Sequence, residues 1–454
     1  MRGFITSPIG ASWTGFTCAA VLALPLALPA RAAERAAVTT EATVPGRTQS
    51  LPLLPVSRTR AAGAAAEQGL YRAEVGRFSL VGVAWDDPDA ELHGRVQVRT
   101  RSTATGEWSG WQDVETHYAD DGADPDTAER SSGRVHGATA PLWTGDSDGV
   151  DVRVRADAET VPSAGRRDSR TDGLRQPLPS GLRLELVDPG RQAPPPGPAA
   201  GTPRISAGAG AAIASSAANV DIARFGAAEI PALGRRDTER ELVMLRGEVR
   251  GKPYIGPRPA IVTRRGWGAD EALRERGFVY TKKVKAAFVH HTASGNRYTC
   301  SQAPSVIRSI YRYHVRSMGW RDVGYNFLVD KCGTIYEGRA GGVTKAVLGA
   351  HTRGFNADSM GIAVIGTYGS TQPSAAAVNA IARLTAWKLG LFGANPLGKT
   401  YLTSGGGNLY PKGKNARLNV ISGHRDGYAT ECPGRLLYAR LGSARSVAAQ
   451  YQGR

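Results

Sequence analysis

The residues that could do chemistry gather in the C-terminal half of a 454-residue chain: His290 and His291 in "FVHHTASGN", His424 in "ISGHRDGYATECPG", and Cys432 eight positions further on. "VKAAFVHH" (284–291) is an apolar run of strand length, and strand alternation sends His290 and His291 to opposite faces. Only one of the two can line a site built above a sheet. That imidazole, His424 and a Cys432 thiolate make a three-ligand zinc set that leaves the fourth position for water. The spacings match neither a structural zinc finger nor the two-histidine helix of common metalloproteases. A lone histidine is ordinarily packed or solvated and a lone cysteine is ordinarily a small buried hydrophobe, so this reading depends on convergence in space.

Cysteine usage narrows the options. Arg2 precedes the run "FTCAAVLALPLALPA" and a small-residue pattern at Ala30–Ala32, which reads as a secretory signal peptide over 1–32. Pro25 and Pro29 interrupt that run, it is short for a bilayer span, and no later segment is apolar enough to cross, so the expectation is an exported chain without a stable membrane span. Removing Cys18 with the leader leaves Cys300, Cys332 and Cys432, an odd number in an oxidising compartment. Two can pair; the third is a reactive thiol, an intermolecular bridge or a metal-held thiolate.

The elements that must position these groups fall into two blocks. From about Gly76 to Asp188, Val96/Val98, Val150/Val152/Val154 and Leu182/Leu184/Leu186 alternate with polar residues, with turn-rich breaks between them, which predicts an all-β, sandwich-like domain over 70–188. Trp85, Trp108, Trp111 and Trp143 lie in or beside those strands, where core and edge packing is the ordinary use of tryptophan. Asp146–Gly149 resembles a fragment of a calcium loop and reads as a polar turn. A Pro/Gly/Ala/Ser-biased stretch over 189–257 reads as a flexible linker, with a short helix near Asp237–Glu248. Over 258–454, apolar strands (284–291, 325–330, 334–338, 361–367, 418–423) alternate with helices opened by Pro304, Pro373 and Pro433, which predicts one α/β domain with a central sheet flanked by helices.

The segments "FVHHTA", "GWRDVGYNFLVDKCGTIYEGR", "GAHTRGFNADSMGIAVIGTY" and "GHRDGYATECPG", in this order, resemble the peptidoglycan recognition protein and type 2 N-acetylmuramoyl-L-alanine amidase family over roughly Pro259–Leu441. The resemblance implies that His290, His424 and Cys432 bind Zn2+ and that Tyr325 is catalytic. Non-hydrolytic family members typically lose the zinc cysteine; this chain keeps it, so the resemblance implies a zinc-dependent amidase that cuts between the lactyl group of N-acetylmuramic acid and L-alanine. Tyr325 is a better donor than acceptor at neutral pH, so stabilising the tetrahedral oxygen suits it better than acting as a base. Thr430 stands where phage amidases of this fold carry lysine; it is the second catalytic candidate, and His351 is a candidate to touch substrate. His291 and His314 are expected to be packing residues. With Cys432 assigned to the metal, Cys300 and Cys332 become the natural disulfide.

Charge adds a partner class. Formal net charge is +17, and residues 258–454 hold 28 Lys/Arg against 9 Asp/Glu, so the basicity belongs to the C-terminal half. In a secreted or wall-located protein this favours peptidoglycan and anionic cell-wall polymers; a nucleic-acid partner has no motif to support it. The competing reading is a peptidoglycan-binding recognition protein that does not cut.

Overall fold

A computed structural model describes residues 45–56, 67–72, 74–116, 120–157, 177–191, 207–248 and 251–454. The expected signal peptide over 1–32, with Cys18, lies outside the described residues. From Ala42 onward the chain forms one compact unit.

Its N-terminal part is a nine-stranded sheet: β1 (Arg47–Pro52), β2 (Leu54–Pro55), β3 (Glu67–Arg72), β4 (Phe78–Trp85), β5 (Gly94–Ser102), β6 (Gln112–Val114), β7 (Gly137–Ala138), β8 (Leu142–Ala156) and β9 (Arg183–Asp188). The main path runs β1-β9-β4-β8-β3-β2, with β5 on β8, β6 on β5 and β7 on β4. Strand β8 is long enough to pair with β4 over its first half and with β3 and β5 over its second. Val81 and Val83 of β4 share one buried cluster with Val96 and Val98 of β5, Val150–Val154 of β8 and Leu184 of β9. Strand β5 pairs with neither β4 nor β9, so the sheet folds over on itself to enclose that core, as the alternating valines and leucines predict. The sheet starts at Arg47, ahead of the expected 70, because the proline-bearing edge strands β1 and β2 carry no alternating signal. Trp85 and Trp143 are buried, whereas Trp108 and Trp111 lie at the edge beneath Arg99 and Arg153. The calcium-like fragment is a pairing surface instead: Asp146 accepts from Ser79 and Asp148 from Arg101.

The stretch expected to be a flexible linker departs from its composition. Residues 207–248 hold α1 (Ala207–Ala217), β10 (Glu229–Ile230) and α2 (Arg235–Arg246), and β10 joins the C-terminal sheet by pairing with β11 (Ile261–Val262). Alanine runs that look like low-complexity spacer are also strong helix formers. After α1, Asn219 donates to both oxygens of buried Glu337 and accepts from the Val343 amide, which ties the stretch to the domain.

The C-terminal part continues with α3 (Arg264–Trp267), β12 (Ala286–His291), α4 (Ala303–Arg312), β13 (Phe327–Val329), β14 (Ile335–Glu337), β15 (Ser359–Val364), α5 (Ala375–Gly390), β16 (Lys399–Thr403), β17 (Asn415–Asn419), β18 (Ile421–Gly423), α6 (Arg435–Tyr438) and α7 (Leu441–Gln452). Its sheet order is β10-β11-β14-β13-β15-β12-β18, mixed in direction as expected, with β13, β15, β12 and β18 parallel; β16 and β17 form a separate hairpin. Helix α5 begins where Ser374 accepts from the Ala377 amide, and with α7 it covers one face of the sheet through Ile381, Leu384 and Ala448. Helix α4 runs into a π-helical turn over 313–317 on the other side. Cys300 and Cys332 are bonded, with Cα atoms 6.2 Å apart.

The two parts share a core. Leu80, Ala138, Trp143 and Val187 from the first sheet pack with Val306, Ile310 and Tyr311 of α4 and Tyr313 of the π-helical turn. The Tyr313 ring crosses Gly82 so closely that a Cβ there would collide with it, and its hydroxyl donates to the Thr139 carbonyl at 3.0 Å. Among the described residues no helix is long and apolar enough to cross a membrane.

Candidate metal centre

Strand β12 is paired in parallel on both sides, with Val289 opposite Gly423 of β18, so His290 and His424 leave adjacent strands at the same level. Their rings lie 4.4 Å apart. A short 3-10 turn over 424–426 carries His424, held by the Gly423 amide donating to Asp426. The chain then folds back so that the Arg425 amide donates to the Cys432 carbonyl, which delivers the thiol to the same spot. One ligand atom each from His290, His424 and Cys432 lies within 4.8 Å of the others, and all three residues are buried.

The donor set suits a metal ion. Burial pushes both imidazoles below their ordinary range, with His424, His351 and His291 adding to the shift of His290 and Asp120 opposing that of His424. Neutral imidazole is the form that ligates. Burial, and then Asp121 and Asp120, raise the Cys432 thiol well above its usual range, and a divalent cation reverses that preference by holding the thiolate. Both ring nitrogens of His424 are buried without a well-formed hydrogen bond, Nδ1 having only carboxylate oxygens at 3.5 and 3.9 Å, a costly arrangement that a metal ion would relieve.

The supporting residues define orientation. Thr352 Oγ1 lies 3.3 Å from His290 Nε2 and 3.0 Å from His351 Nδ1, and His351 Nε2 is 3.4 Å from Ser359 Oγ. His290 therefore has Nε2 engaged and Nδ1 turned toward Cys432 Sγ, 3.7 Å away. His351, expected to touch substrate, is fully buried with both nitrogens engaged inside the domain, so it steadies Thr352 from behind. Thr430 is half-buried beside the ligand, its hydroxyl oxygen accepting the Cys432 amide at 3.2 Å. His291 faces away, accepting the Tyr368 amide, and burial pushes it down to about 3. His314 accepts the Gly324 amide under Tyr325, also pushed down to about 3 by burial. Both are packing residues.

Sequence reasoning missed the groups that arrive from the N-terminal part. Tyr325 is fully buried, 5.4 Å from the His290 ring, and its hydroxyl donates to Asp121 Oδ2 at 2.8 Å. Asp121 Oδ1 stands 3.3 Å from His290 Nδ1 and 3.5 Å from His424 Nδ1, and Asp120 Oδ2 is 3.9 Å from the latter. Glu115 approaches His291 at 3.8 Å; burial, with Asp120 and Glu431 nearby, raises its carboxyl to about 7. The signal available was the string "DDGADPD", whose ordinary meaning is a solvated turn.

Comparison with known proteins places similarity on both parts. Residues 280–435 match the N-acetylmuramoyl-L-alanine amidase family, and residues 32–172 match the Rv3811 N-terminal galactose-binding domain-like family. The peptidoglycan-recognition protein SC1a of Drosophila melanogaster is 30% identical over 188 residues, 41% of this chain and 87% of that protein. An N-acetylmuramoyl-L-alanine amidase of Sus scrofa is 32% identical over 188 residues, 40% of this chain and 27% of that protein. The solved structure of wild-type Drosophila PGRP-LB aligns with 26% identity and a TM-score of 0.32, covering 40% of this chain and 92% of that one.

Proposed function

The chain belongs to the peptidoglycan-recognition protein and N-acetylmuramoyl-L-alanine amidase family, and from that premise we propose that it is an exported, zinc-dependent hydrolase of the amide between the lactyl group of N-acetylmuramic acid and L-alanine. The observation that carries this reading is the convergence of His290, His424 and Cys432, buried together, with neither ring nitrogen of His424 in a well-formed hydrogen bond. A zinc ion held there supplies Lewis acidity to the scissile carbonyl and lowers the pKa of water from about 15.7 toward about 7.

The protein's own groups do the rest. His290 and His424 arrive neutral and fixed, since parallel strands on a covered sheet position them and Thr352 engages the far nitrogen of His290. Tyr325 is aimed at anionic oxygen: the carboxylate it now donates to sits between its hydroxyl and the two imidazoles, where the tetrahedral oxygen of the reaction would need a donor. Thr430 keeps its hydroxyl proton after accepting the Cys432 amide, which leaves it able to donate a hydrogen bond, without giving up the proton, to an oxygen or amine of the reacting amide. The exposed lysines and arginine of the β16–β17 hairpin (Lys399, Lys412, Lys414, Arg417) give anionic wall polymers a place to bind.

Zinc content and the release of free L-alanine amino termini from purified sacculi test the proposal. The expected result is about one zinc per chain and chelator-sensitive release, with Cys432→Ser losing the zinc and at least about 100-fold of the rate. Wall binding without any chelator-sensitive release, from the parent chain and from Asp121→Ala alike, would replace it with the non-cutting recognition reading.

A further inference from the structure

Residues 120–130, which lie between β6 and β7, form an acidic segment with Asp120, Asp121, Asp124, Asp126 and Glu129. Four of these five are buried, which carboxylates tolerate only when paired. The partners of Asp121, Asp124 and Glu129 lie across the boundary in the C-terminal part. Asp124 Oδ1 accepts from the Gly354 amide at 2.8 Å and from Asn356 Nδ2 at 2.7 Å. Glu129 takes both forks of Arg339, at 2.8 and 2.9 Å, and the Arg321 amide. The carbonyls of Asp120 and Gly122 accept from the Arg353 amide and Asn356 Nδ2. Asn356 also accepts the amides of His351 and Thr352, so the loop that grips the segment is the one that orients His290.

The tip of this segment is Asp121, whose two oxygens face Tyr325 and the Nδ1 atoms of both histidines. We propose that Asp121 is a fourth protein donor to the metal held by His290, His424 and Cys432, and that residues 120–130 close the cleft, so the folded chain is a latent form. A three-ligand site does hydrolysis only while its remaining position takes water or substrate, and a carboxylate there removes that position and the Tyr325 hydroxyl at once. The shared core around Leu80, Ile310 and Tyr313 holds the N-terminal sheet in place, so activation is departure of the segment rather than of the whole sheet. This inference rests on the zinc-site reading above.

The test uses the full chain with cobalt in place of zinc, as wild type, as Asp121→Ala, and as the double variant Asp124→Ala/Glu129→Gln, which loosens the grip while leaving every metal donor intact. Cobalt absorption is followed during titration with acetohydroxamate, and binding of a soluble muramyl peptide is measured by calorimetry. Expected: acetohydroxamate shifts the cobalt bands of both variants at concentrations about tenfold or more below those needed for the wild type. Muramyl peptide affinity and L-alanine release rise by a similar factor. Identical hydroxamate responses and identical peptide affinities in all three proteins overturn the latent form while leaving the metal centre standing. A chain that takes up no cobalt in any variant overturns both readings together.

Discussion

Two regions meet at His290, and they are built on opposite plans. The C-terminal face presents its two histidines from the ends of parallel strands, in a sheet covered by α5 and α7, with backbone partners on both sides of β12, and Cys432 from a turn folded back onto them. The segment 120–130 has little regular structure, and its carboxylates and carbonyls find their partners on the opposing face. Strand-borne donors are held by their own sheet, so their geometry survives whatever happens above them. A segment held by hydrogen bonds to another surface can leave without disturbing either core. The difference assigns chemistry to one region and access to the other.

The largest effect expected on the strand-borne side is from Tyr325→Phe, which removes one donor to the tetrahedral oxygen. Catalytic rate should fall about 10²- to 10³-fold with zinc content unchanged; a variant as fast as the parent would move the stabilising role elsewhere. Leu80→Ala probes the shared core on which the contrast depends. It should cost about 2–5 kcal/mol in denaturant titration, with both sheets still lost in one transition; separate transitions would show the N-terminal sheet to be an independent body. Thr352→Val deletes the hydroxyl engaging His290 Nε2, and zinc affinity should drop about 10- to 100-fold by competition with a chromophoric chelator.

The smallest effect concerns pH. His314 is held neutral in the fold down to about 3, whereas in the unfolded chain it protonates near 6.5. Between those values the unfolded state binds the extra proton, so this residue lowers stability as pH falls below 6.5, by roughly 1.4 kcal/mol per pH unit. The stability gap between wild type and His314→Gln should therefore narrow by roughly 2 kcal/mol between about pH 7.5 and about pH 5. An unchanged gap in urea midpoints would mean that the ring protonates in place.

Much of this was legible before any coordinates. Apolar runs of strand length located β12 to β15 and β18, because a buried parallel sheet demands them. Helix α5 followed from Pro373 and the spacing of Val378, Ile381 and Leu384. His290 parted from His291 by strand alternation together with the family resemblance. The short helix near Asp237–Glu248 was legible and is α2, whereas α1 and β10 were not, because composition reports the absence of large apolar residues and says nothing of polar anchors such as Asn219 on Glu337. His351 was read as a candidate to touch substrate; that it lies buried between Thr352 and Ser359 could not be seen, since a loop histidine gives no sign of the direction in which it points.

What the residues alone determined is the inventory: two imidazoles at the ends of strands whose hydrophobic period puts them in one sheet, and one thiolate in the turn-rich stretch that follows. Only the tertiary structure decided that an aspartate from the other end of the chain stands among them. Local patterning encodes which face of an element is buried, but which distant carboxylate reaches a buried site depends on how two separately patterned parts dock through Leu80, Trp143 and Tyr313, and no spacing rule within either part carries that contact.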